Sequence, residues 1–169
     1  MRRVPAGPAA LVCAALFLAA GCGEDLAARS GLENARSSDR AVIQAALDAL
    51  AAGDRTAMEA LLLTREEHRT LVWDSLPERH TFSFDYVRLL TERNTGKAIS
   101  RALERYAGQR FELLDVTYEK GREVYGDVTL HRDANITVRR LDDGQEGTIP
   151  LVDVLFERNG GWKLMNYVE

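Results

Sequence analysis

Apolar residues recur at helical spacing over the first half of the chain and alternate over the second. Val42, Ile43, Ala46, Leu47 and Leu50 fall on one stripe of a helix that opens with Asp39 as its expected N-cap and closes at Gly53. Asp54 is placed to cap a short second helix carrying Met58, Leu61 and Leu62. Thr64 and Glu67 have capping-box spacing, ahead of Leu71, Val72, Trp73, Leu76 and a break at Pro77. Phe84 to Arg93 reads as a helix interrupted at Asn94-Thr95-Gly96. Ala98, Ile99, Ala102, Leu103 and Tyr106 then repeat the spacing of the first helix up to Gly108.

From Phe111 the period becomes two, around Leu114, Val116 and Tyr118. A second strand region, "EVYGDVTLHRDANITVRRL", is 19 residues long. At ~3.3 Å per residue it would run some 60 Å, so a bulge or bend is expected near Asp133-Ala134-Asn135. "TIPLVDVLFER" and "WKLMNYVE" give the third and fourth strands, joined by a tight turn at Asn159-Gly160-Gly161. Helices followed by an antiparallel meander predict an α+β domain over residues 39–169.

The N-terminus follows a different pattern. Arg2 and Arg3 precede 13 mostly apolar residues, Pro8 to Ala20, too few to span a bilayer core that takes about 20. A positive start, a short apolar middle and small residues at a cut site read as a secretory signal over residues 1–21. "LAAGCGED", Leu18 to Asp25, resembles the lipobox of bacterial lipoproteins, with Ala20-Gly21 before Cys22 and the usual leucine displaced by one place to Leu18. The resemblance implies that Cys22 carries lipid and anchors the protein to the cell envelope. In lipoproteins of enteric bacteria Asp after the cysteine marks retention at the inner membrane. Gly23 stands there, which implies the outer membrane in a host that has one. Cys13, the other cysteine, would leave with the signal, so the exported chain would hold no internal disulfide and no thiolate metal site. Residues 22–38, rich in small and charged side chains, read as a flexible tether outside the core.

Charge narrows the partners. The chain is −4 overall, and removing residues 1–21 takes away two arginines and no acid, giving −6. Such a surface repels nucleic acid, so the expected contacts are a membrane through Cys22 and a small apolar ligand or an envelope protein.

The order of elements, with "VIQAALDALAAGDRTAMEALL" near the start and "VLFERNGGWKLMNYVE" at the end, resembles the nuclear transport factor 2-like superfamily. That cone-shaped α+β fold is shared with ketosteroid isomerase and polyketide cyclases. The likeness covers residues 40–63 and 111–169, and it implies a curved sheet with a pocket but does not fix an activity.

Candidate chemistry is sparse. "HRD" at His131–Asp133 lacks every companion motif of a kinase. Glu66, Glu67 and His68, with His80 further on, lack the histidine spacing of a metal site and read as a solvated helix face. No G-x-S-x-G, P-loop or GxGxxG occurs, and no cofactor is implied. Asp153, inside "LVDVLF", is the polar residue that stands out. With Asn159-Gly160 as the turn it falls opposite Asn166, on the same face as Trp162. These three form the candidate ligand-contacting set.

Two functional expectations follow. One is a non-enzymatic, lipid-anchored binding domain. The other is an isomerase-, dehydratase- or cyclase-like enzyme with Asp153 as base and a tyrosine or His131 as its partner. Both faces of the last two strands are apolar: Leu151, Leu155, Trp162, Leu164 and Val168 on one, Val152, Val154, Phe156 and Met165 on the other. An uncovered second face predicts a homodimer through the sheet, unless the tether or residues 64–110 wrap over it.

Overall fold

The computed structural model describes residues 21–168. Residues 1–20 of the expected signal, Cys13 among them, lie outside the described residues, and Cys22 falls in the first turn of helix α1 (Gly21–Ser30). No helix among the described residues is long and apolar enough to cross a membrane.

Helix α2 (Asp39–Ala52) buries the stripe Val42, Ile43, Ala46, Leu47 and Leu50. Its N-cap is Ser38 rather than Asp39: the Ser38 hydroxyl accepts the Ala41 N–H, while Asp39 enters the first turn, where a carboxylate suits the helix dipole. Gly53 closes α2 at φ 67°, a left-handed conformation that favours glycine. Asp54 caps α3 (Arg55–Ala60), and the Thr64–Glu67 capping box opens the single turn α4 (Arg65–Glu67). A π turn (His68–Val72) and two short 3₁₀ turns, Trp73–Ser75 and Pro77–His80, follow. Helix α5 (Phe84–Tyr106) then runs unbroken through Asn94-Thr95-Gly96, where an interruption was expected. A lone glycine costs a helix only about 1 kcal/mol relative to alanine, and the apolar stripe beyond it packs on α2 and the sheet.

Among the described residues seven strands make four antiparallel passes. β1 (Phe111–Tyr118) and β2 (Arg122–Tyr125) form the first pass, and β3 (Val128–Arg132) with β4 (Ala134–Arg140) the second. β5 (Glu146–Ile149) with β6 (Val152–Arg158) is the third, and β7 (Gly161–Tyr167) the fourth. A common bend splits the passes into sheets ordered β1-β4-β5 and β2-β3-β6-β7. The 19-residue stretch is therefore no single strand. A turn at Gly126-Asp127 separates β2 from β3, and Asp133, at φ 54°, bends β3 into β4 where a bend was expected. The result is α+β, with helices packed on antiparallel sheets.

Alternation along β6 and β7 sends neighbouring side chains to opposite faces. Leu155 and Leu164 join the α2 stripe, Ala98 and Ile99 in one core. Val154 and Phe156, with Val128 and Leu130, meet Leu32, Leu63, Val72 and Leu76 in another. The second face is thus covered within the chain, and the bare apolar patch that motivated the homodimer is not there. What covers it includes Leu32, at 1 % exposure, from the segment expected to be a loose tether.

That segment is stitched down. Ser30 is buried, its carbonyl accepts from the Arg158 guanidinium, and Asn159 donates to the Arg29 carbonyl. Arg36 and Trp162 exchange two backbone hydrogen bonds at 3.0 and 2.9 Å. Polar composition suggested a tether, but Leu26 and Leu32 are buried and, with these hydrogen bonds, hold the segment against the domain.

Candidate functional site

Residues Leu61 to Leu63 run beside β7, exchanging backbone hydrogen bonds with Leu164 at 2.8 and 2.9 Å. They extend the sheet by one short rung, and the first half of α5 passes alongside. Between them lies a cavity of about 400 Å³. Its apolar lining is Leu62, Leu63, Ile99 and Met165, and α5 contributes Arg88, Thr91, Glu92, Thr95 and Gly96. A volume in this range suits a small organic molecule.

The charges around it are internally paired. Arg88, whose side chain is 13 % exposed, donates Nε to Glu92 at 2.7 Å and Nη1 to the Leu63 carbonyl at 3.2 Å. Glu59 is bound by Arg55 at 3.2 Å. Lys163 sits on the apolar face opposite Phe156 and places Nζ 2.8 Å from Glu67 Oε2. The same carboxylate accepts the Thr64 N–H at 2.7 Å and the Glu33 N–H at 2.6 Å. Glu67 therefore ties the N-terminal segment, α4 and β7 together from a buried position, contrary to the expected solvated face.

His68 is buried too, edge-on to Phe84 and Trp73, and its Nε2 has no hydrogen-bond partner among the described residues. Burial, reinforced by the nearby Arg88 charge, lowers its pKa to about 4, so the ring is neutral near pH 7. Among the described residues no group of three or more His, Cys, Asp or Glu side chains could hold a metal ion.

The residues expected to contact a ligand lie elsewhere. Asp153 and Asn166 are hydrogen-bonded at 2.7 Å, but they are not opposite each other. Val154 pairs with Asn166, because Met165 and Asp153 are each left out of the ladder by two bulges that restore the register at Val152–Tyr167. The Asp153 carbonyl accepts the Asp133 N–H at 2.8 Å across the sheet bend. Its side chain is half-buried in an open groove with Glu119, Asp133, Asn135 and Pro150, which shares no residue with the cavity under α5.

Trp162 and His131 are brought together, but away from Asp153's groove. Their rings lie 4.7 Å apart, and His131 bonds Glu157 at 3.1 Å. Tyr118, 5.0 Å from the His131 ring, donates to Asp39 at 2.8 Å, and burial with that carboxylate pushes its pKa up. His131 and Glu157 are diagonal neighbours on β3 and β6, Trp162 reaches across from β7, and Asp39 comes from the first turn of α2.

The α5 lining escaped the sequence reading, which took Phe84 to Arg93 as a helix and singled out none of Arg88, Thr91, Glu92 and Thr95. The signal that could have found them is that they occupy the positions i, i+3, i+4 and i+7 of one helix face, in line with buried Ile99. Comparison with known proteins assigns no relative: no family model, characterised protein or solved structure matches the chain.

Proposed function

We propose that the chain is a lipid-anchored cell-envelope domain of the nuclear transport factor 2-like type that binds a small, largely apolar molecule in the cavity beneath α5. The observation that carries the binding role is the cavity itself: about 400 Å³, with Leu62, Leu63, Ile99 and Met165 as apolar walls and Arg88, Thr91, Glu92 and Thr95 of α5 as polar groups beside them. Helices followed by a bent four-pass meander support the superfamily reading. The lipobox-like residues before Cys22 support the anchor.

Native mass spectrometry of the protein purified from its own host tests binding. A co-purifying small molecule is expected, and it should be lost in Gly96→Leu. A β-carbon at Gly96 meets nothing within 4 Å, so leucine has room to fill the cavity. The substitution also removes a helix glycine, which favours the fold by about 0.5–1 kcal/mol. A ligand retained in Gly96→Leu would overturn the assignment of the cavity. The anchor has its own test: Cys22→Ser should move the protein from membranes to the soluble exported fraction, since each buried CH₂ of a lipid chain contributes about 0.8 kcal/mol. An unmodified Cys22 in membrane-bound protein would overturn it.

A further inference from the structure

The inward face of α5 changes character along its length. Ala98 and Ile99 are buried in the core, with Ala102 and Leu103 packed against it, as an interior helix face requires. One to three turns earlier the same side of the helix presents Arg88, Thr91, Glu92 and Thr95 to the wall of Leu62, Leu63 and Met165. Two threonines on that face behave differently. The Thr91 hydroxyl donates to the Val87 carbonyl at 3.0 Å, whereas the Thr95 hydroxyl is buried with no partner among the described residues. A polar face turned inward over a cavity, with one buried hydroxyl unsatisfied, departs from the helical pattern where a ligand would account for it.

The charges indicate which ligand. Lys163 is committed to buried Glu67, and Glu59 is held by Arg55. Arg88 is different. The Leu63 carbonyl fixes its guanidinium against the wall, but its counter-ion Glu92 is 47 % exposed and bound through a single nitrogen. A half-exposed carboxylate held through one nitrogen can return to water, whereas the largely buried guanidinium still needs an anion. We infer that the cavity takes a single-chain amphiphile headed by a carboxylate, which replaces Glu92 on Arg88 while its chain lies along Leu62, Ile99 and Met165. The exchange conserves charge, returns Glu92 to water and puts a planar two-oxygen group on a planar donor. This inference rests on the cavity being a binding site.

The test is calorimetric titration of the purified Cys22→Ser chain with decanoate and with 1-decanol at pH 7. Decanoate should bind about 10-fold or more tightly than 1-decanol, the effect of one charge-assisted contact. Glu92→Gln should raise decanoate affinity about threefold or more, by freeing Arg88, and leave 1-decanol within about twofold. Arg88→Gln should abolish the preference for decanoate. If that variant does not fold, Glu92→Gln decides alone, because Glu92 is half exposed. Equal binding of the two probes, tighter binding of 1-decanol, or weaker decanoate binding in Glu92→Gln would overturn the carboxylate head while leaving the cavity as a site. Failure of both probes to bind would overturn the cavity reading itself.

Discussion

Replacing Lys163 with methionine tests the most consequential contact in the fold. The substitution keeps an unbranched side chain one atom shorter and removes its charge, leaving Glu67 buried with two backbone N–H donors, Glu33 and Thr64, and no cation. Both partners are nearly sealed from solvent, at 2 % and 6 % side-chain exposure. Breaking one side of a buried pair costs about 3–5 kcal/mol, because the remaining charge is neither hydrated nor compensated. The two N–H donors soften that penalty, which places the expected loss near the low end, at about 3 kcal/mol. With a urea m-value of about 1.5–2 kcal/mol/M, the unfolding midpoint should fall by roughly 1.5–2 M. The fluorescence of Trp73 and Trp162 reports the transition. In the double variant Lys163→Met, Glu67→Gln part of the loss should return, since a neutral amide still offers one acceptor. A loss below about 1 kcal/mol in Lys163→Met, the value of an exposed pair, would refute the buried, closed arrangement.

Two further outcomes are expected. His68, with its pKa lowered to about 4 by burial and the Arg88 charge, takes up a proton in the unfolded chain before it does so in the folded one. Its contribution is therefore fully present above about pH 6.5 and is lost as pH falls toward 4. Between pH 7 and pH 4.5 the wild type should lose about 2 kcal/mol more than His68→Phe in urea titrations, and parallel pH profiles would refute the assignment. Gly161→Ala would place a β-carbon 2.5 Å from Ser30 Cβ, so α1 must move, at a cost of about 1–3 kcal/mol. Ser30→Gly should relieve most of that cost. A neutral Gly161→Ala would mean that residues 21–36 are not fixed against β7.

The helices and the meander were legible because their patterns are local. The α2 stripe, the glycine at its C-terminus, the capping box and the Asn159-Gly160 turn each depend on residues a few positions apart. What escaped depends on distant partners. Leu32 looks like one apolar residue in a polar run until the face of Val154 and Phe156 is placed against it. Glu67 and Lys163 look like surface charges until the fold brings together residues 96 positions apart. The Asp153–Asn166 hydrogen bond was anticipated from the hairpin, but the two bulges that deliver it were not, since nothing in the alternation of β6 and β7 marks them.

Two places where polarity breaks the pattern differ in a way that separates scaffold from site. At Lys163 the departure is closed: both charges are buried, and the carboxylate accepts from two backbone donors and one ammonium, all within the chain. Such a group holds three segments in register and has nothing left to offer a ligand. On α5 the departure is open. Arg88 leans on a half-exposed carboxylate, the Thr95 hydroxyl has no partner among the described residues, and a β-carbon added at Gly96 would meet no atom within 4 Å. Satisfied polar groups in a core specify the fold, whereas incompletely satisfied ones beside a cavity store recognition that a ligand can use. By that criterion Asp153, already bonded through its side chain to Asn166 and through its carbonyl to Asp133, belongs with the scaffold. The face from Arg88 to Thr95 is where binding is to be sought.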